Sequence, residues 1–110
     1  MAIFKSIPSK RIINGYEIET SESAIVTNQN YTTNGEYALI IKGVENCTLI
    51  LNHKTTDHVV VKSLTNVLVK SDTLIDEEFN EVELSKGSCV EFMYIGSFWY
   101  ILSSDGLKNS

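Results

Sequence analysis

His53 and His58 flank Asp57, and imidazole nitrogens beside a carboxylate are where metal binding or acid–base chemistry would first be sought. Zinc sites, however, carry a third or fourth His, Cys or carboxylate in register, and five residues across a polar turn is not a ligand spacing. Both histidines are therefore expected as exposed loop residues, with no metal assigned. Asp72, Asp76, Glu77, Glu78, Glu81 and Glu83 offer the oxygens calcium prefers, but the Asp-x-Asp/Asn-Gly order of a dedicated loop is missing. A solvated acidic edge that discourages edge-to-edge strand pairing explains them better. Cys89 stands beside Ser88 and Glu91 without a neighbouring His to activate it, and no Gly-x-Ser-x-Gly elbow occurs. The chain reads as non-enzymatic and cofactor-free. Tyr94, Trp99 and Tyr100 could present flat apolar faces to a sugar. The competing expectation, a buried core or subunit interface, follows from the element that carries them.

That element is the stretch from Lys86 to Ser104, with the single Trp of the chain. Runs of β-branched and aromatic residues flank Gly96-Ser97, and Gly at the first loop position suits a type II′ hairpin turn. The register follows: Ile95 opposite Phe98, Tyr94 opposite Trp99, Met93 opposite Tyr100, Phe92 opposite Ile101. One face then holds Phe92, Tyr94, Trp99 and Ile101, the other Met93, Ile95, Phe98 and Tyr100. Both are apolar, whereas a sheet covered on one side alternates apolar with polar. Covering both faces strains the material of a short chain, so Phe92, Met93, Tyr94, Ile95, Phe98, Trp99 and Tyr100 are assigned to a core and oligomer interface, most simply a trimer's.

Residues 1–20 are expected as an N-terminal arm that docks elsewhere through Phe4, Lys5, Ile7, Lys10 and Arg11, and residues 21–110 as a single β-domain. Within the arm, Arg11–Ile13 and Tyr16–Thr20 flank Asn14-Gly15, the strongest two-residue hairpin signal. A polar break at 21–23, a short strand at 24–27 and a turn-rich loop at 28–35 come next. Glu36–Lys42 and Asn46–Asn52 are apolar runs of strand length. Val59-Val-Val-Lys-Ser-Leu-Thr65 recurs as Val67-Leu-Val-Lys-Ser-Asp-Thr73, five of seven positions matching at an offset of eight. Two copies are too few for a solenoid, which leaves consecutive strands with a corner at 63–66. Glu81–Leu84 alternates, 85–87 turns into the hairpin, and the tail from Asp105 ends at once. The class is all-β, a small antiparallel sandwich or jelly-roll-like domain, with a β-prism shared among subunits also open.

With 110 residues, 43% hydrophobic and 21% charged, the chain suits one modest core. A net charge of −5 with scattered Lys and Arg argues against nucleic acid, which needs a clustered positive field. No apolar run nears the roughly 20 residues of a membrane span, so no membrane insertion is expected. Nor does the N-terminus offer a signal-peptide core; synthesis in a cytoplasm without export is expected. Cys47 and Cys89 lie in strand-like runs and read as small buried hydrophobes.

The second half resembles a module of bacteriophage virion proteins, found at the ends of tail fibres and in head-fibre and capsid-accessory proteins. The matching pieces are Cys47-Thr-Leu-Ile-Leu51, Val59-Val-Val-Lys62, Val67-Leu-Val-Lys70, Leu74-Ile-Asp76, Leu84-Ser-Lys-Gly-Ser-Cys-Val-Glu-Phe92 and Gly96-Ser-Phe-Trp-Tyr-Ile-Leu-Ser-Ser-Asp-Gly106. The resemblance covers about 60 residues and departs at Cys89, where a small polar or aliphatic residue is usual, and in a longer acidic turn. It implies a non-enzymatic virion structural protein, made in the host bacterial cytoplasm: a capsid decoration, short head fibre or tail-accessory knob. Its implied partners are further copies of itself and other virion proteins of the capsid or tail. A host-glycan-binding, receptor-recognition module of a phage tail is the alternative.

Overall fold

The structure, a computed structural model, describes residues 3–5 and 8–108. Every element is a strand: β1 (Ile3–Lys5), β2 (Pro8–Ile13), β3 (Tyr16–Val26), β4 (Asn30–Thr32), β5 (Glu36–Ile41), β6 (Cys47–Leu51), β7 (His58–Ser63), β8 (Val67–Ile75), β9 (Phe79–Ile95) and β10 (Phe98–Lys108). The all-β expectation stands.

From β3 to β8 the chain winds as a flattened coil. Strands β3, β5 and β7 lie side by side and parallel, and so do β4, β6 and β8. Each corner sends the chain across to the other row rather than back along its neighbour, so consecutive strands never pair within this stretch. Buried positions alternate along these strands, and the Val, Ile and Leu runs continue onto the outward face, where Ile40 and Ile50 are exposed. Register stacks the buried ones. Ala24, Leu39, Val61 and Val90 form one buried row, while Leu49, Val69 and Val82 form the facing one, with Tyr31 at its end. Both rows belong to one apolar cluster between the layers.

β9 closes the coil. Its first half pairs with β8, Val82 against Val69 and Leu84 against Val67, and its second half with β7, Val90 against Val61 and Phe92 against Val59. The bend between the halves is polar but satisfied: the Ser88 hydroxyl donates to the Ser85 carbonyl, as does the buried Ser63 hydroxyl at 3.2 Å. β10 then runs antiparallel beside β9 through two register shifts, and Trp99 also lies next to Ile75 of β8. The hairpin thereby caps both layers.

Several expectations change. The sandwich is mixed: the pairs β1–β3, β2–β3, β7–β9, β8–β9 and β9–β10 are antiparallel, as expected, and the coil strands between them are parallel. The eight-residue echo does mark two strands with a corner at 64–66, but β7 and β8 sit in opposite layers and do not pair. True stacking neighbours are Ala24 with Leu39 and Leu39 with Val61, offsets of 15 and 22 that no fixed period reveals. The break at 21–23 lies inside β3, the loop at 28–35 contains β4, and the turn at 85–87 is the bend of β9. Rather than ending at once, the tail pairs Leu107 with Leu84 and Lys108 with Glu83. Within the first 20 residues, β1 and β2 are hydrogen-bonded to β3, so this segment's described backbone belongs to the sheet.

Candidate functional site

The aromatic hairpin has the register that its sequence dictates, from Phe98 opposite Ile95 to Ile101 opposite Phe92. Gly96 has φ 69° while Ser97 stays at negative φ, as a type II′ turn requires. Its two faces differ. Phe92 and Trp99 are 0% exposed within the single chain, with Tyr94 and Ile101 packed against the same cluster. On the other face Met93, Phe98 and Tyr100 are half-buried and Ile95 is 53% exposed. One chain thus covers one face by itself. A sugar platform built on Trp99 has no surface to offer.

Neither histidine is a free loop residue. His53 Nδ1 lies 2.5 Å from Asp72 Oδ2, whose other oxygen accepts the Trp99 indole N–H at 3.2 Å. The His53 ring stacks on Tyr94 at 4.6 Å, and Tyr94 meets Trp99 edge-on at 5.6 Å. His58 Nε2 lies 2.5 Å from Glu91 Oε2, and the Ser103 hydroxyl donates to Glu91 Oε1 at 3.2 Å. The acid sits between imidazole and hydroxyl, the reverse of a nucleophile–base–acid relay. The hydrogen bond from His58 holds the Glu91 carboxyl below its usual range. These pairs are clasps, each tying the C-terminal hairpin to the coil. Their sequence signal was half visible: the histidines stood out, but partners 19 and 33 residues away did not.

The acidic stretch divides likewise. Asp72 serves the first clasp, Asp76 accepts the Ile101 backbone N–H at 3.0 Å and Glu77 the Tyr100 hydroxyl at 2.8 Å, raising that phenol's pKa. Glu78, Glu81 and Glu83 are exposed. Cys47 is buried and Cys89 half-buried, both free thiols, and burial pushes the Cys47 thiol up. Among the described residues no group of three His, Cys, Asp or Glu side chains could hold a metal ion.

A cleft of about 440 Å³ opens between the β2–β3 hairpin and the starts of β5 and β7. Arg11 and Ile13 come from β2, Thr20 and Glu22 from β3, Glu36 and Tyr37 from β5, and Thr56, Asp57 and His58 from the other wall. Arg11 donates to both Asp57 oxygens at 2.8 and 2.9 Å. Glu36 is 0% exposed; its Oε1 accepts the Asn34 backbone N–H at 2.7 Å and its Oε2 the Tyr31 hydroxyl. Burial, and then this carboxylate, raise the Tyr31 pKa. Tyr37 is 56% exposed, its ring edge-on to His58 at 5.3 Å. Sequence reasoning missed Glu36 because a carboxylate opening an apolar run looks like a polar strand boundary.

Of the docking residues, Lys10 is exposed and Arg11 is engaged by Asp57. The side chains of Phe4 and Lys5, and all of Ile7, lie outside the described residues. No protein-family model matches the chain, and no curated protein matches it in sequence.

Proposed function

We propose that the protein is a non-enzymatic structural knob of a bacteriophage particle, a capsid decoration, short head fibre or tail-accessory protein. The observation that supports this reading best is the role of the terminal Trp99-Tyr100-Ile101 strand. The stretch that carries the virion resemblance is the lid of the fold, since Trp99 is wholly buried beside Ile75 and β10 spans both layers. The clasping of both histidines favours a building block over a reactive centre.

In this reading copies associate through the outward face of the hairpin, Met93, Ile95, Phe98 and Tyr100, and the sheet edge at β1 and β2 faces the particle. Lys10 there offers a positive charge to an acidic surface. The glycan alternative loses ground because the Trp99 indole is buried and its N–H already donates to Asp72. The test is the particle itself: purified virions should contain the chain at a fixed copy number per major capsid protein. Virions that lack it would overturn the reading. Sedimentation equilibrium tests the association separately, and a monomer near 12.3 kDa at micromolar concentration would count against the trimer.

A further inference from the structure

Asn-Gly occurs twice, at 14–15 and at 34–35, and the fold gives the two copies opposite surroundings. An asparagine followed by glycine can convert itself, because the next backbone nitrogen reaches the side-chain amide carbon and glycine has no Cβ to screen it. Asn14 and Gly15 are exposed at the tip of the β2–β3 hairpin, and a Cβ added at Gly15 would meet nothing within 4 Å. Their φ values, 48° and 86°, are those of a type I′ turn, which bonds only its outer residues and leaves the Gly15 N–H to solvent. Asn34-Gly35 is locked instead. The Gly35 N–H donates at 2.9 Å to the hydroxyl of Thr56, a residue 1% exposed, and the Asn34 N–H donates to Glu36 Oε1 at 2.7 Å. A Cβ at Gly35 would lie 2.9 Å from Thr20 Cγ2, a measure of how closely this backbone is packed.

We propose that Asn14 is a site of spontaneous deamidation, and that conversion there releases the N-terminal hairpin from the loop after β6. Base removes the Gly15 amide proton, the nitrogen attacks Asn14 Cγ, and the Cγ–Nδ2 bond breaks as ammonia departs with a proton from water. Water then opens the cyclic imide at either carbonyl, leaving aspartate or isoaspartate. One water enters, one ammonia leaves, and nothing is oxidised or reduced. Ring closure must swing the Asn14 amide off the His53 carbonyl, to which it donates at 2.6 Å, but that is a single solvent-exposed bond. At Asn34 the same closure would break the Gly35–Thr56 bond in packed surroundings. The product cannot restore what Asn14 loses. A carboxylate has no donor, so in the aspartate product two acceptors face each other where Asn14 now bonds to His53. The solvent-exposed Arg11–Asp57 pair is then left to tether the hairpin. Isoaspartate also lengthens the backbone of a two-residue turn, whose length sets the strand register. This inference does not rest on the particle reading.

Purified full-length protein, incubated at neutral and at mildly alkaline pH, then cut after its glutamates and read by tandem mass spectrometry, reports each asparagine separately. Asn14 should convert faster than Asn34 by about tenfold or more in the folded protein, since closure at Asn34 must first break a buried bond. The rate at Asn14 should rise with pH, and in urea the two sites should converge. Asn14→Asp mimics one product without lengthening the backbone, and Asp-Gly suits the same turn. Faster amide hydrogen exchange at Arg11 and Ile13 in that variant, with Met93 and Tyr100 unchanged, isolates the lost bond. Equal conversion of Asn14 and Asn34 in the folded protein, an Asn14 that converts only in urea, or an Asn14→Asp variant whose exchange matches wild type overturns the proposal.

Discussion

Asn14-Gly15 and Gly96-Ser97 each fold a two-residue hairpin, the first at one edge of the strand order and the second at its centre. In the first both turn residues take positive φ, 48° and 86°, and in the second only Gly96 does. The strands they join meet different surroundings. The β2–β3 hairpin buries Ile13 but leaves Ile12 64% exposed and Tyr16 46% exposed, and the cleft opens along its flank. The β9–β10 hairpin buries Phe92 and Trp99 completely and is clasped by His53–Asp72 and His58–Glu91. The same Asn-Gly dipeptide at 34–35 joins β4 to β5, which do not pair, so a local turn signal turns the chain and the layers its strands can reach decide whether a hairpin forms and what it does.

The largest expected difference is in the core. Trp99→Ala should cost about 3–5 kcal/mol, as large-to-small changes of buried aromatics do, whereas Ile12→Ala should stay within about 0.5 kcal/mol. Urea unfolding midpoints measure both. Comparable losses would mean that the two hairpins are equally integral to the core.

Glycine substitutions come next. Gly96→Val forces a β-branched side chain into the left-handed region and should cost roughly 1–2 kcal/mol or more, well beyond Ser97→Ala. A Cβ at Gly96 meets nothing within 4 Å, so this cost is purely backbone strain. At Gly35, with φ 87°, a Cβ would also lie 2.9 Å from Thr20 Cγ2 and 3.2 Å from the Thr20 Cα. Gly35→Ala should therefore lower the melting temperature more than Gly96→Ala does. The opposite order would show that the cleft end yields more readily than its packing suggests.

Acid should loosen the C-terminal clasp. The folded-state pKa of Glu91 is depressed by His58, so its contribution is present above the ordinary glutamate value and is lost as pH falls through the folded value. Wild type should be more stable than Glu91→Gln at neutral pH, and the gap should close below about pH 4. A gap that stays constant from neutral pH into acid would remove the clasp from the comparison.

How much of this was readable depends on the distance over which residues cooperate. The hairpin register from Phe92 to Ile101 and the turn at Asn14-Gly15 are local, and alternation plus turn chemistry specifies them. Parallel neighbours such as Leu39 and Val61 are joined through another layer by corners of unequal length, so their pairing leaves no periodic mark. β4 stayed hidden because Asn30-Tyr31-Thr32 is short and polar, and only pairing with Thr48-Leu49-Ile50 makes it a strand. The clasps and the cleft were opaque for the same reason. Asp72 and Glu91 acquire their partners only when the coil brings distant strands together, whereas Glu36 takes its donors from Tyr31 and Asn34 just before it.

The smallest expected effect is at the Arg11–Asp57 pair, which joins the N-terminal hairpin to the loop between β6 and β7. Their side chains are 52% and 31% exposed, so water and salt screen the attraction and fixing the long arginine chain offsets part of it. Arg11→Ala should cost no more than about 1 kcal/mol at low salt, less at high salt, where the screening length falls to about 3 Å. The Asn14 side-chain amide still donates to the His53 carbonyl at 2.6 Å in that variant, so the hairpin keeps a second tether. A loss beyond about 2 kcal/mol that is insensitive to salt would place the pair outside the range of solvent-exposed ion pairs. The β2–β3 hairpin would then be held as firmly as the C-terminal one, and the cleft beside it would be a rigid feature of the fold.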